Sequence, residues 1–415
     1  MTSSDKKSTS VRISRRTFTA GAAAGAASLV LPWRGAFAQG AKFKIGMILP
    51  TSGYQAQIGQ DHERGVQLAE KVLPEMGYKN FEVLHGDTET KVEVARNVAE
   101  KLINEGCNVL VGAFDSGQTT AAVQVAEQKG IPFIVHTAAN PAITESGYKW
   151  VVRNFPTVPM ILNDAFINQK ALFEYTKTTP QSVVILHTND TYGTAVGNAT
   201  PKLAKANGVN YKILDSIAYD PAAKDLSVEV AKAKASGADA VIGVSRLNDA
   251  ILITREMIKQ RWSPMGIMSI GPGWNDTPYL ETLGKMSDDV MNFIPWYDPT
   301  KPLSKRLIAA MAKMFPHRQL HINHVLAFEG IYIAVDAYKR AGTTDPAALM
   351  KALRETHITN NSTISPAIAF DEKGQNTKIR DAGVQNRAER LRVVVPRSAA
   401  EVEPNWPMRP WNKRT

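Results

Sequence analysis

The sequence predicts an α/β protein of two doubly wound lobes joined by a three-strand hinge. Three observations predict this. Short, continuously apolar runs alternate with amphipathic helices, that alternation restarts partway along the chain, and three breaks rich in turn residues interrupt it. Continuous apolar runs are what parallel strands buried on both faces require. Repeated strand, helix and strand is the pattern of a parallel sheet with crossover helices.

The first alternation opens with a buried strand at 43–49 and a helix at 59–76, with Val66, Leu68, Ala69, Val72 and Leu73 on or near one face. A strand at 81–84 and a helix at 91–104 follow, the latter with Val94, Val98, Leu102 and Ile103 inward. A strand at 109–111, a helix at 119–128 and a strand at 132–135 complete the unit. The pattern restarts with a strand at 150–152, interrupted at Pro156 and Pro159, and a helix at 161–175. Strands are expected at 183–186, 211–217, 240–244, 266–270 and 290–294, with helices at 194–206, 226–235 and 250–260. Helices at 304–314, 323–341 and 346–355 and short strands at 367–370 and 391–395 end the series. Breaks at 154–156, 295–299 and 360–366 carry Asn, Pro and Asp and mark three crossings between the lobes. The first lobe is therefore expected to hold 41–157 and 298–360, and the second 158–297 and 361–398, with 399–415 as a tail. A cleft between two such lobes, at the carboxyl ends of the strands, is a ligand site.

The chain has 415 residues, a length for two or three domains. At 44% hydrophobic and 21% charged, it is an ordinary globular composition that needs neither disulfides nor metal for its core. The net charge of +10 is unevenly placed: six basic residues and one acidic residue fall within the first 38, which carry half of it. The remainder is dispersed, with no basic run interleaved with aromatics in the body, so no nucleic-acid partner is expected. The Arg387–Arg392 region and 406–414 read as a solvated tail with some aromatic docking.

The N-terminus reads Arg15-Arg16-Thr17-Phe18, an apolar run at 19–31 and Ala36-Phe37-Ala38. A basic start, an apolar middle and a small-x-small cleavage site make an export signal, here of twin-arginine type. Cleavage after Ala38 would leave a soluble periplasmic protein with no direct membrane insertion, because the apolar run is short of the ~20 residues a span requires. The single cysteine, Cys107, opens an apolar run and reads as a buried packing thiol.

No nucleophile elbow, zinc-protease motif, phosphate loop or dinucleotide fingerprint occurs. His321 and His324 share a helix face, yet no third ligand stands near in sequence. The expectation is a protein that is not an enzyme and uses no cofactor and no metal.

Ile45-Gly46-Met47-Ile48-Leu49-Pro50-Thr51-Ser52-Gly53, Gly59-Gln60, and Gly65-Val66-Gln67-Leu68-Ala69 resemble the leucine/isoleucine/valine-binding protein family. The resemblance continues through 109–112, 131–134, Asn189-Asp190-Thr191-Tyr192-Gly193, 237–241 and 370–374. It implies the type I periplasmic binding fold, with Rossmann-like lobes, and a substrate-binding component of an ABC importer. It implies that the loop holding Phe114 and Ser116 and the loop holding Ala138 and Asn140 grip a ligand carboxylate. Asn140 stands where the family often has Thr. Tyr192 corresponds to the family's closing aromatic residue. Two positions depart from the pattern: Arg246, a guanidinium suited to a carboxylate, and Gly273-Trp274, where amino-acid binders place a carboxylate for the ligand's ammonium. Asp276 and Asp115 are candidates to replace it; otherwise Trp274 stacks on a ligand without an ammonium. The expected ligand is a small amino acid or an aromatic or aliphatic acid, handed to an inner-membrane ABC permease. The competing expectation is a periplasmic sensor feeding a signalling partner.

Overall fold

A computed structural model describes residues 42–414; the expected export signal lies outside the described residues. The first sheet is built from β1 (Phe43–Leu49), β2 (Phe81–Asp87), β3 (Val109–Ala113), β4 (Phe133–Thr137) and β5 (Val151–Arg153). Its order is β2-β1-β3-β4-β5 and every pairing is parallel. Between these strands run α1 (Ala56–Glu75), α2 (Val92–Asn104), α3 (Ser116–Lys129) and α4 (Ala142–Glu145).

The second sheet is fed by α5 (Val158–Thr176), β6 (Ser182–Thr188), α6 (Thr191–Ala206), β7 (Lys212–Tyr219), α7 (Ser227–Ala235), β8 (Ala240–Val244), α8 (Leu247–Lys259), β9 (Gly266–Ser269), α9 (Thr277–Leu283) and β10 (Met291–Pro295). The chain then adds α10 (Pro302–Met314), α11 (Ile322–Ala341) and α12 (Pro346–Arg354). It pairs β11 (His357–Ile358) with β12 (Ile368–Ala369) and ends with β13 (Asp381–Arg387) and β14 (Arg390–Val395). The second sheet has the order β14-β13-β10-β9-β8-β6-β7, with only β13 and β14 antiparallel to their neighbours.

Helix starts follow local chemistry. α3 begins at Ser116 because the Asp115 carboxylate accepts from the Gly117 and Gln118 amides. α5 begins at Val158, earlier than the proline pair implied. Thr157 caps it, and Pro159 sits in the first turn, where a missing N–H costs nothing. α11 is the most buried helix and lies on the first sheet against α1; Gly65 lets the two approach, since a Cβ there would meet the His324 carbonyl at 2.3 Å.

β13 was not expected, because Asp-Ala-Gly-Val-Gln-Asn-Arg has no strand periodicity. It lies between β10 and β14 with nearly every residue buried. The polar residues are satisfied inside: Gln385 donates to the Asp289 and Asn405 carbonyls, and Asn386 to those of Trp274 and Ser287. The residues after 399 are likewise not a solvated tail. Trp406 covers Gly266 and tilts on Phe173 at 5.6 Å, and Trp411 Nε1 donates to the Trp262 carbonyl at 2.7 Å. Arg409 Nε pairs with Asp289 at 2.6 Å.

Three stretches connect the sheets, and α11 ties two of them together. The buried Glu329 carboxylate accepts from Asn154 Nδ2 at 2.9 Å and from the Ser362 and Thr363 amides at 2.8 and 3.1 Å. Short bridges join Arg153 to Gln375 and Tyr297 to Thr363.

Candidate functional site

The loops that follow β3, β4, β6, β8 and β9 all open on one cleft between the sheets, at the carboxyl ends of the parallel strands. About 620 Å³ of empty space lies between them, part of it open solvent. The first lobe contributes Phe114, Asp115, Ser116, Thr137, Ala138 and Ala139. Tyr192, Arg246, Gly271, Pro272 and Asn275 face them from the second. Phe155, Ile161, Ile294 and Pro295 line the side near the crossings, and Ile322, Asn323 and Leu326 of α11 line the remaining wall. Most of this lining is apolar.

Two lining residues hold backbone conformations that side chains disfavour: Phe114 at φ 86° and Ala138 at φ 109°. Such strain costs on the order of 1–3 kcal/mol and gathers at sites that use it. Here it turns the two first-lobe loops sharply from their strands. The amides of Ser116, Ala138 and Ala139 donate to no protein acceptor among the described residues.

Arg246 caps α8, where its own amide donates to Asp249. Its guanidinium reaches Asp190 at 2.6 Å and Asp115 of the opposite lobe at 3.6 Å. It also sits 5.9 Å from the Phe114 ring and 5.7 Å from the Tyr192 ring, one from each lobe. Burial opposes its charge, but Asp190 and Asp115 outweigh burial and hold the guanidinium above its ordinary pKa. Asp115 is itself shared among Gln55 Nε2, Arg246 and the start of α3. Tyr192 donates its hydroxyl to the Ile270 carbonyl at 2.9 Å, leaving its ring for the cleft.

Of the seven residues singled out from the sequence, Phe114, Ser116, Ala138, Tyr192 and Arg246 meet in the cleft. Ser116 is the first helical residue and Asp115 the cap. Asn140 does not line the cleft. Its side chain accepts from the Ala142 amide, the ordinary role of Asn before a helical turn. Trp274 is not at the cleft either. It is fully buried in the second-lobe core, against Gly243, with Nε1 donating to Thr254 Oγ1 at 3.2 Å. Nor does His324 face the cleft; its Nδ1 accepts from the His321 amide at 2.8 Å. Asp276 is fully buried, makes no hydrogen bond through either oxygen and lies outside the lining; burial pushes its carboxyl well above the usual range. The sequence carried no local signal for Thr137, Asn275 or Asn323, whose positions depend on packing. The Asn323 side-chain Nδ2 in the cleft wall is buried and has no partner among the described residues.

Two lobes with a shared, mostly apolar cleft and a charge pair across it have the architecture of a two-lobed solute-binding protein. The chain belongs to the periplasmic binding protein family, whose sequence profile matches residues 42–384. A Leu/Ile/Val-binding protein homolog of Brucella suis is 24% identical over 383 residues, 88% of this chain and 94% of that protein. Among solved structures, a leucine-binding protein of Thermotoga maritima superposes with a TM-score of 0.74 at 20% identity, covering 84% of this chain and 97% of that one. A solute-binding protein of Rhodopseudomonas palustris, solved with 3,4-dihydroxybenzoic acid, gives 0.70 at 21% identity over 84% and 95%. These likenesses establish the type I periplasmic binding fold.

Proposed function

We propose that this protein captures a small organic acid without an ammonium group by closing its lobes, and delivers it to an ABC importer of the inner membrane. The observation that carries this reading is the cleft's charge inventory. Asp115, the carboxylate in the described lining, is already held by Arg246, Gln55 and α3. Asp190 is likewise engaged by Arg246, so an ammonium there would have to compete with that guanidinium for either carboxylate. Free backbone amides beside the α3 N-terminus suit a carboxylate, and the apolar lining suits an aromatic or aliphatic body. Phe114, Ser116 and Ala138 would hold the acid end, and Tyr192 and Arg246 would close from the other lobe. Ligand and closure are then linked: the ligand favours the closed state by its differential affinity for it.

A thermal-shift screen of the chain from Gln39 tests this, with amino acids, benzoate-type acids, short dicarboxylates and their amides. A ligand at a hundred times its dissociation constant should add about 2.7 kcal/mol. Stabilisation by acids lacking an amine supports the reading; stabilisation by amino acids alone overturns it.

Export as a folded protein by the twin-arginine route is part of the same proposal. No helix among the described residues is long and apolar enough to cross a membrane. Replacing Arg15 and Arg16 by Lys should leave the precursor in the cytoplasmic fraction; unchanged export would refute the route.

A further inference from the structure

Arg153 ends β5 and is fully buried, yet no carboxylate among the described residues pairs with it. Nε donates to Gln375 Oε1 at 2.6 Å, and Nη2 to Thr144 Oγ1 at 2.7 Å. Nη1 donates to the Ala138 and Asn140 carbonyls at 3.2 and 2.7 Å. Burial pushes its pKa down to about 9, with Glu145 and Asp371 acting on it only through space. It therefore stays charged at neutral pH. A buried guanidinium whose direct partners are all neutral oxygens carries a desolvation cost that distant carboxylates offset only in part.

The contrast with Arg246 gives this its meaning. Arg246 meets two aspartates, so its charge is spent within the protein. The charge with no directly paired carboxylate lies one layer back, under the loop that carries Ala138 and Ala139. Arg153 draws the Ala138 carbonyl toward itself. Because a trans peptide points its N–H opposite to its carbonyl, the Ala139 amide faces away from Arg153. That amide has no protein acceptor, and Ala139 lines the cleft.

We infer that Arg153 is the positioning residue that makes the cleft select an anionic ligand end: it orients the Ala138–Ala139 loop and supplies the positive potential behind it, while Arg246 serves closure. This rests on the reading that the cleft binds a carboxylated solute. It also accounts for Gln375 Nε2 donating to the Phe155 carbonyl, which ties the loop's anchor to a crossing strand.

The test compares the wild type with Arg153→Met and Arg153→Lys in the full chain. The probes are 3,4-dihydroxybenzoate and leucine, each beside its amide, with Kd from calorimetry. Arg153→Met should lose roughly tenfold or more in carboxylate affinity, as expected for removing a unit charge one loop behind a partly desolvated site, while amide affinity holds. Arg153→Lys should keep most of the preference. Equal loss for acid and amide, or an unchanged ratio, overturns the inference. If the wild type binds neither pair, the proposed ligand class fails, and hydrogen exchange decides the positioning role. Ala138 and Ala139 amides exchanging as in the wild type in both variants overturns it; faster exchange confined to that loop supports it.

Discussion

Arg246 and Asp115 meet across the cleft at 3.6 Å, one from the loop after β8 and the other from the loop after β3. Both side chains are buried, and Asp190 holds the guanidinium from its own lobe at 2.6 Å. The pair crosses the cleft away from the connecting stretches, where His321 Nε2 also meets Asn275 Oδ1 at 3.1 Å, so it acts on the open–closed equilibrium more than on either lobe's fold.

Replacing Arg246 by Met leaves Asp115 and Asp190 facing each other without their cation. Removing one partner of a buried ion pair costs about 3–5 kcal/mol, and that cost falls on the closed form. Small-angle scattering should report a larger radius of gyration for Arg246→Met than for the wild type without ligand. Equal radii would show that the pair does not govern closure.

Gly273 stands where a carboxylate was looked for, and geometry keeps it glycine. A Cβ there would lie 2.2 Å from both the Arg246 carbonyl and Ser245 Oγ. Gly273→Glu should therefore destabilise the chain by about 1–3 kcal/mol or more through overpacking, and should confer no leucine binding. A Gly273→Glu chain of wild-type melting temperature that binds leucine would contradict this.

His62 is fully buried on α1, with Nδ1 against the Ile58 carbonyl at 2.8 Å, and burial lowers its pKa from 6.5 to about 4. The unfolded chain then binds the proton more readily, so this contribution is present above about pH 6.5 and lost as pH falls toward about 4. Asp249 works in the opposite sense, since burial raises its carboxyl from 3.8 to about 7. Chemical denaturation of His62→Gln between pH 4 and 7 should thus show a smaller loss of stability on acidification than the wild type. An identical slope would exclude His62 as a source.

Ending the chain at Ala399 removes Trp406 and Trp411 from the second lobe and leaves the buried Asp289 without Arg409 and Asn405. Deleting one large core side chain costs about 3–5 kcal/mol, so the truncated chain should melt well below the full one. Coincident melting curves would mean that these contacts contribute nothing.

Much of the architecture was readable in the residues. The runs Phe43–Leu49 and Ala240–Val244 are strands at the expected bounds, because a strand buried on both faces is apolar nearly throughout, the half-buried Lys44 being the exception. The loops holding Phe114, Ser116, Ala138, Tyr192 and Arg246 converge because parallel sheets collect their carboxyl ends on one side. β13 was not readable: Gln385 and Asn386 look like loop residues until their hydrogen-bond partners, from distant segments, are in place.

The sequence by itself determined the alternation of strands and helices, the two lobes and the set of loops facing the cleft. The first two follow from local periodicity and turn chemistry, and the loops from the family resemblance. Only the tertiary structure decided that Trp274 fills the core, that Arg246 bridges two aspartates and that Arg153 lies beneath the cleft without a carboxylate. Each depends on what burial removes from water and which distant group answers it, and no local pattern carries that information.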